Sequence, residues 1–192
     1  MNHSEELHLI NEMKRRNVKA QREFYDRFAG FAMAVALRYI ADRDAAKDVL
    51  QDSFVKMFDA IGSFNLRPES SLKSWVASVV AHKAVDALKN ARRLNLISTD
   101  ETNISDTDAG ISDDTSDDDT DDIDIGLIHK MICSMPDGYR TVFNLFVFER
   151  KSHREIADIL GISESTSASQ FYHAKKLLRR MISEYRNKAG GR

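Results

Sequence analysis

The chain has 192 residues, 42% hydrophobic and 30% charged, with eight glycines, two prolines and one cysteine. So few breakers predict a mostly helical protein, and a single cysteine excludes both a disulfide framework and a cysteine-built zinc cluster. The longest apolar run, Phe31–Leu37, is too short to span a membrane, and no apolar stretch follows the polar start Met1–Glu6. The expectation is a cytoplasmic protein with no membrane contact of its own.

The net charge of −2 conceals a segregation: residues 1–97 carry +4, residues 98–126 carry −12, and residues 127–192 carry +6. Two basic segments around an acidic one point to a nucleic-acid partner. The acidic segment has no aromatic residue and only scattered isoleucines, so alone it cannot bury enough apolar area to offset its ordering entropy. The chain therefore reads as all-α, with two small helical domains, 1–97 and 127–192. A flexible acidic linker, 98–126, joins them.

In chain order, Leu7, Ile10 and Met13 open a first helix. After a break near Asn17, Val18, Phe24, Tyr25 and Phe28 continue the helical period. Phe31–Ile40 is apolar nearly all round and predicts a buried helix. Asp42 or Asp44 suits the cap of the next helix. There Val49, Leu50, Phe54, Met57, Phe58 and Ile61 form an apolar stripe, opposite Asp44, Asp48, Gln51, Asp52 and Lys56; Gly62 ends it. Beyond a loop with Phe64, Arg67 and Pro68, a long helix from about Ser70 to Arg93 has its core side at Leu72, Val76, Val79, Val80, Ala84, Ala87 and Leu88. On its flank Trp75 shares a line with Ser78, His82, Asp86, Lys89 and Arg93. A ring among polar and cationic groups suits unpaired DNA, where bases stack and cations hold phosphates. A core tryptophan beside Leu72 and Val79 is the competing reading.

The second basic segment predicts helices near Ile125–Ser134 and Tyr139–Phe148, separated by a Met-Pro-Asp-Gly turn. Ser152 then caps a short helix with Glu155 completing a capping box, Gly161 permits a tight turn, and Ser163 caps a second helix. This is a helix-turn-helix, whose second helix enters the major groove by its N-terminal residues. Lys175, Lys176, Arg179 and Arg180 lie where they suit phosphates. For any one polar residue of that helix, a solvated face is the competing reading. His129 and Cys133, one turn apart, make only two of the ligands a zinc ion needs, so no metal or other cofactor is expected.

Four stretches together resemble an extracytoplasmic-function (ECF) sigma factor of the sigma-70 family. They are Asp44–Phe54, Phe64 through Trp75 to Asp86 and Arg92-Arg93, Met135–Phe143, and Ser152–Lys176. The resemblance implies a subunit of bacterial RNA polymerase that is not itself an enzyme. It would bind the core polymerase at its clamp helices and flap, open promoter DNA and answer to an anti-sigma factor. It implies polymerase-binding roles for Asp48, Gln51, Asp52 and Lys56. Promoter melting would fall to Phe64, Arg67, Ser71, Lys73, Trp75, Ser78, His82, Lys89 and Arg93. The upstream element would be read by Arg154, Ser165, Thr166, Ser169, Tyr172, His173 and Lys176. It also implies a path for the acidic linker along the polymerase's RNA exit channel; a solvated spacer and a strap that screens the two basic domains are the competing readings. The chain departs from the family's usual pattern at Ala81-His82 and at Ser167, Ala168, Gln170 and His173, which leaves an unusually uncharged reading face. A stand-alone helix-turn-helix regulator is the alternative, against which stands the clamp-binding pattern in the first domain.

Overall fold

The computed structural model describes residues 3–66, 71–95 and 124–190. Arg67, the side chain of Arg93 and linker residues 98–123 lie outside the described residues. Among those described, the chain forms eight α-helices and one 3-10 turn.

The first body is built from local signals. Helix α1 (His3–Lys14) buries Leu9, Ile10 and Met13. Arg16 takes a left-handed turn at φ 59°, and Asn17 caps α2 (Val18–Tyr39) by accepting from the Lys19 amide at 3.0 Å. Helix α2 runs unbroken through Gly30, burying Phe24, Phe28, Ala32, Val35, Ala36 and Tyr39 at helical spacing. Asp42 caps α3 (Arg43–Ala60), accepting from the amides of Asp44 and Ala45. Gly62 does not simply end that helix; the chain tightens into a 3-10 turn over Ile61–Ser63. Ser71 caps α4 (Leu72–Asn95), its Oγ accepting from the Ser74 amide at 3.1 Å. A long-range contact completes that cap: the buried carboxylate of Glu6 accepts from the Leu72 amide at 3.2 Å. Helices α2, α3 and α4 pack mutually around an aromatic centre. There Phe24 lies between 5.0 and 6.4 Å, ring to ring, from Phe28, Phe54, Phe58 and Trp75.

The second body contains α5 (Ile125–Cys133), α6 (Asp137–Val147), α7 (His153–Leu160) and α8 (Glu164–Gly190). Ser152 and Glu155 form the expected capping box, and Gly161 ends α7 in the left-handed region at φ 67°. Ser163 caps α8, its Oγ accepting from the Thr166 amide at 3.0 Å.

The two bodies share one core. Val142, Leu145 and Ile156 of the second are continuous with the buried residues of the first. The end of α2 is closed by side chains from the second body. The Leu37 carbonyl accepts from the Cys133 thiol at 3.3 Å, the Arg38 carbonyl from Asn144 Nδ2 at 2.6 Å, and the Tyr39 carbonyl from Arg140 Nε at 3.0 Å. Helix α4 meets the second body too: Lys89 donates to the Ile159 carbonyl. Val85 and Leu88 face Leu160 and Ile162 across a small gap. Val85 and Ala81 are buried although the sequence places neither on α4's core side.

Two outcomes test the local architecture. Gly161→Ala forces a side chain into the left-handed region and is expected to cost about 1–2 kcal/mol in thermal or denaturant unfolding. Glu155 is held below its ordinary pKa, chiefly by the Ser152 backbone N–H. Its stabilising effect is therefore complete above about pH 4, the unfolded carboxyl value, and is lost as pH falls through the lowered folded value. Glu155→Gln is expected to flatten that acid-side loss in a pH series of melts.

Candidate nucleic-acid interface

Three surfaces follow from this framework. The first lies on α3. Burial of Ala46, Val49, Ser53, Phe54 and Met57 turns Asp48, Gln51, Asp52 and Lys56 outward, and all four are exposed. Ser53 is tolerated in the core because its hydroxyl donates to the Val49 carbonyl at 2.6 Å. Val55 stands on the outward line of Asp48, Gln51 and Asp52, 61% exposed. Near this helix Tyr25 is exposed and packs on Phe54 at 4.7 Å between ring centres. Sequence periodicity gave Tyr25 only as part of the helical period and did not single out Val55. The signal for Val55 was its i, i+3, i+4 spacing from the polar residues.

The second surface is the flank of α4. Trp75 is half-buried and stacks on Phe64, with ring centres 4.3 Å apart and 28° between planes. Its other neighbour is Phe24, so the ring belongs to the edge of the aromatic core as well as to the flank. Ser71 uses its hydroxyl oxygen as the α4 cap. Lys73 is exposed, with Nζ 4.7 Å above the Phe31 ring. His82 is exposed, and its Nδ1 donates to the Ser78 carbonyl at 2.6 Å. Ser78 is half-buried, with its hydroxyl 3.4 Å from the same Nδ1. Lys89 is turned onto the second body.

The third surface is the helix-turn-helix. Arg154, Ser165, Thr166, Ser169 and Tyr172 are exposed. The hydroxyls of Ser165 and Thr166 both bond to Ser163 Oγ, at 2.8 and 2.7 Å. His173 is half-buried and stacks on Tyr139 with ring centres 5.7 Å apart, and Lys176 is half-buried. Two of the departures from the family pattern point inward. Ser167 is fully buried with Oγ 3.1 Å from His153 Nδ1, and Gln170 lies against Gly138. His153, which the sequence reading left without a role, stacks on Phe146 at 4.8 Å and so ties α7 to both α6 and α8. The exposed part of the reading face is thus hydroxyl and aromatic in character, with cations further along α8.

Among the described residues no group of three or more His, Cys, Asp or Glu side chains is placed to hold a metal ion. His129 Nδ1 and Cys133 Sγ are 3.7 Å apart, and burial raises the pKa of the thiol. No described helix is long and apolar enough to cross a membrane.

Two family models match the chain, sigma-70 region 2 over residues 24–94 and sigma-70 region 4 over residues 125–178. The chain is 27% identical over 145 residues to the RNA polymerase sigma factor SigV of Bacillus subtilis, covering 76% of this chain and 80% of that protein. It is 27% identical over 168 residues to the ECF RNA polymerase sigma factor SigL of Mycobacterium tuberculosis, covering 85% and 89%. A solved structure of the Bartonella quintana sigma factor RpoE, in complex with the anti-sigma factor NepR, matches at 18% identity and a TM-score of 0.48. It covers 84% of this chain and 96% of that one. The region 2 match contains the outward face of α3 and the flank of α4, and the region 4 match contains the helix-turn-helix. The protein belongs to the sigma-70 family as an ECF-class RNA polymerase sigma factor, a transcription initiation factor and not an enzyme, which binds core polymerase and promoter DNA.

Proposed function

We propose that initiation is divided among the three surfaces, with residues 1–97 and 127–192 as the working domains and 98–126 as their connector. The observation that carries the reading is the outward line of α3. A valine exposed among carboxylates is an apolar anchor with a polar rim, the composition of a protein-docking patch. Asp48, Gln51, Asp52 and Lys56 would meet the clamp helices of the polymerase around it. The second domain would sit on the flap.

On α4, Phe64 and Trp75 would form the rigid wall of a pocket for an unpaired base. Ser71, Lys73, Ser78 and His82 would supply its polar edge, and Arg67, Lys89 and Arg93 would hold phosphates. Flipping a base costs a few kcal/mol, and a wall held in place by a packed core is preorganised to offset it. On the helix-turn-helix, Ser169 and Tyr172 are the exposed candidates for base contacts. Arg154, Ser165, Thr166 and Lys176 would orient the domain on the backbone, and His173 would act against Tyr139 beneath that face. The protein would work in the cytoplasm, under an anti-sigma factor that covers one or more of these surfaces.

Asp48→Ala with Gln51→Ala, and separately Val55→Asp, are expected to weaken core-polymerase binding by about 2 kcal/mol or more while helical content is unchanged. Equal affinity for core enzyme would refute the docking face. Ser169→Ala or Tyr172→Ala should shift promoter preference by about 1–3 kcal/mol at a single base pair. Lys176→Ala should instead weaken all sequences alike and lower the salt slope by about one. Run-off transcription from a randomised upstream element separates the two classes.

A further inference from the structure

Helix α1 ends in a turn that favours glycine and holds an arginine. The Arg16 amide donates to the Met13 carbonyl at 2.9 Å and the Asn17 amide to the Glu12 carbonyl at 3.1 Å, the paired bonds of a Schellman closure. Its left-handed residue is Arg16, at φ 59°, with an exposed side chain. Glycine takes that conformation without strain, and an exposed cation gains no packing there to offset it. The surrounding sequence is basic: Lys14, Arg15, Arg16, Lys19 and Arg22 fall within nine residues that hold no carboxylate. Arg15 and Arg22 pair with Glu12 and Asp26, and Lys19 shares a groove with Glu5, Glu12 and Glu23. Lys14 and Arg16 line a different groove, of about 340 Å3, between this turn and the end of α3. Met13, Phe58 and Ile61 give it an apolar floor, and Gln21 and Asp59 complete its rim.

This groove adjoins the loop that carries Phe64. Lys14 Nζ donates to Asn65 Oδ1 at 3.4 Å, and the Phe64 amide donates to the carbonyl of Ile61, in the groove floor, at 3.1 Å. We infer that the groove is a second nucleotide site, which receives an unpaired nucleotide of the strand held at Phe64 and Trp75. The inference rests on the melting role proposed for that pair. Single-strand sites combine an apolar surface for the base with cations along the backbone. The flank of α4 is short of the second component, because Lys89 is held by the Ile159 carbonyl and Lys73 lies over the Phe31 ring. Lys14 and Arg16 supply it. The apolar floor takes the base, and the Asp59 carboxylate and Gln21 amide meet its edge. An ionised carboxylate accepts and does not donate, so Asp59 favours a base with an exocyclic amino group over thymine. An acidic protein surface would match the two cations, but it would be repelled by Asp59 and leave the apolar floor uncovered.

The test uses holoenzyme assembled from the full chain and core polymerase, on a fork promoter with a duplex upstream part and a single-stranded non-template tail. Anisotropy of the labelled DNA gives its affinity across a salt series. Arg16→Gly gives the turn its preferred residue and deletes the cation. It should leave the thermal midpoint of the free chain at or above that of wild type and weaken fork binding about tenfold. It should also lower the salt slope by about 0.7, the share of one single-strand phosphate. Arg16→Lys should restore the slope. Asp59→Ala should instead shift base preference about tenfold at one position of the tail. None of the three should alter the affinity of sigma for core polymerase, or of holoenzyme for a duplex fragment without the tail. Unchanged fork affinity and slope in Arg16→Gly overturn the site. A loss of core-polymerase binding also overturns it, by assigning the cations to an acidic protein surface. So does a lowered thermal midpoint with DNA binding intact, which would mean that Arg16 serves the fold. Trp75→Ala separates the groove from the reading beneath it. If Trp75→Ala weakens fork binding and Arg16→Gly does not, the groove alone is refuted; in the reverse case the groove stands and the melting role of α4 falls.

Discussion

The buried guanidinium of Arg140 is the interaction on which the relation between the two halves of this sigma factor depends. Removing an arginine from water costs several kcal/mol unless its charge and every donor are compensated. Here the compensation is divided. Asp137 supplies the charge, one carbonyl comes from the end of α5, one from the turn after it, and one from the end of α2. The α2 carbonyl lies at the negative pole of a 22-residue helix, where a cation is favoured. The residue thus fixes the turn between α5 and α6 and the place where that turn meets the first body. Asn144, one helical turn further along α6, repeats the contact on the neighbouring carbonyl.

Much of the architecture was legible because its causes are local. Asn17, Asp42, Ser152 with Glu155, and Gly161 each act on groups within four residues. Their positions in the sequence therefore gave the helix starts and the tight turn. The seam between the two bodies was not legible for the opposite reason. Arg140 and Asn144 are polar and their partners lie about a hundred residues away, so no spacing marks them as buried. Val85 falls off the core stripe of α4 because it faces Leu160 and Ile162 of the second body, whereas a single periodic stripe describes only one covered side.

The functional surfaces divide along the same line. The outward face of α3 is where its period puts it. The helix-turn-helix is in register, yet the sequence overestimated its reading face: Ser167 and Gln170, which looked like missing DNA contacts, are directed into the protein. The uncharged character at Ser167 is therefore a matter of packing between His153 and α8. Trp75 resolves its two competing readings by belonging to both settings. It is packed by Phe24 on the core side and stacked on Phe64 towards the loop.

The Glu6 carboxylate on the Leu72 amide bears on how the protein is made. The acceptor leaves the ribosome 66 residues ahead of its donor. At ordinary elongation rates that interval is about 3–13 s. Throughout it α1 has no α4 to cap, and the buried side of α1 has only α2 and the turn after α3 to meet. The beginning of the first domain is therefore synthesised first and locked last, and the nascent chain carries an uncommitted amphipathic segment through most of that domain's translation.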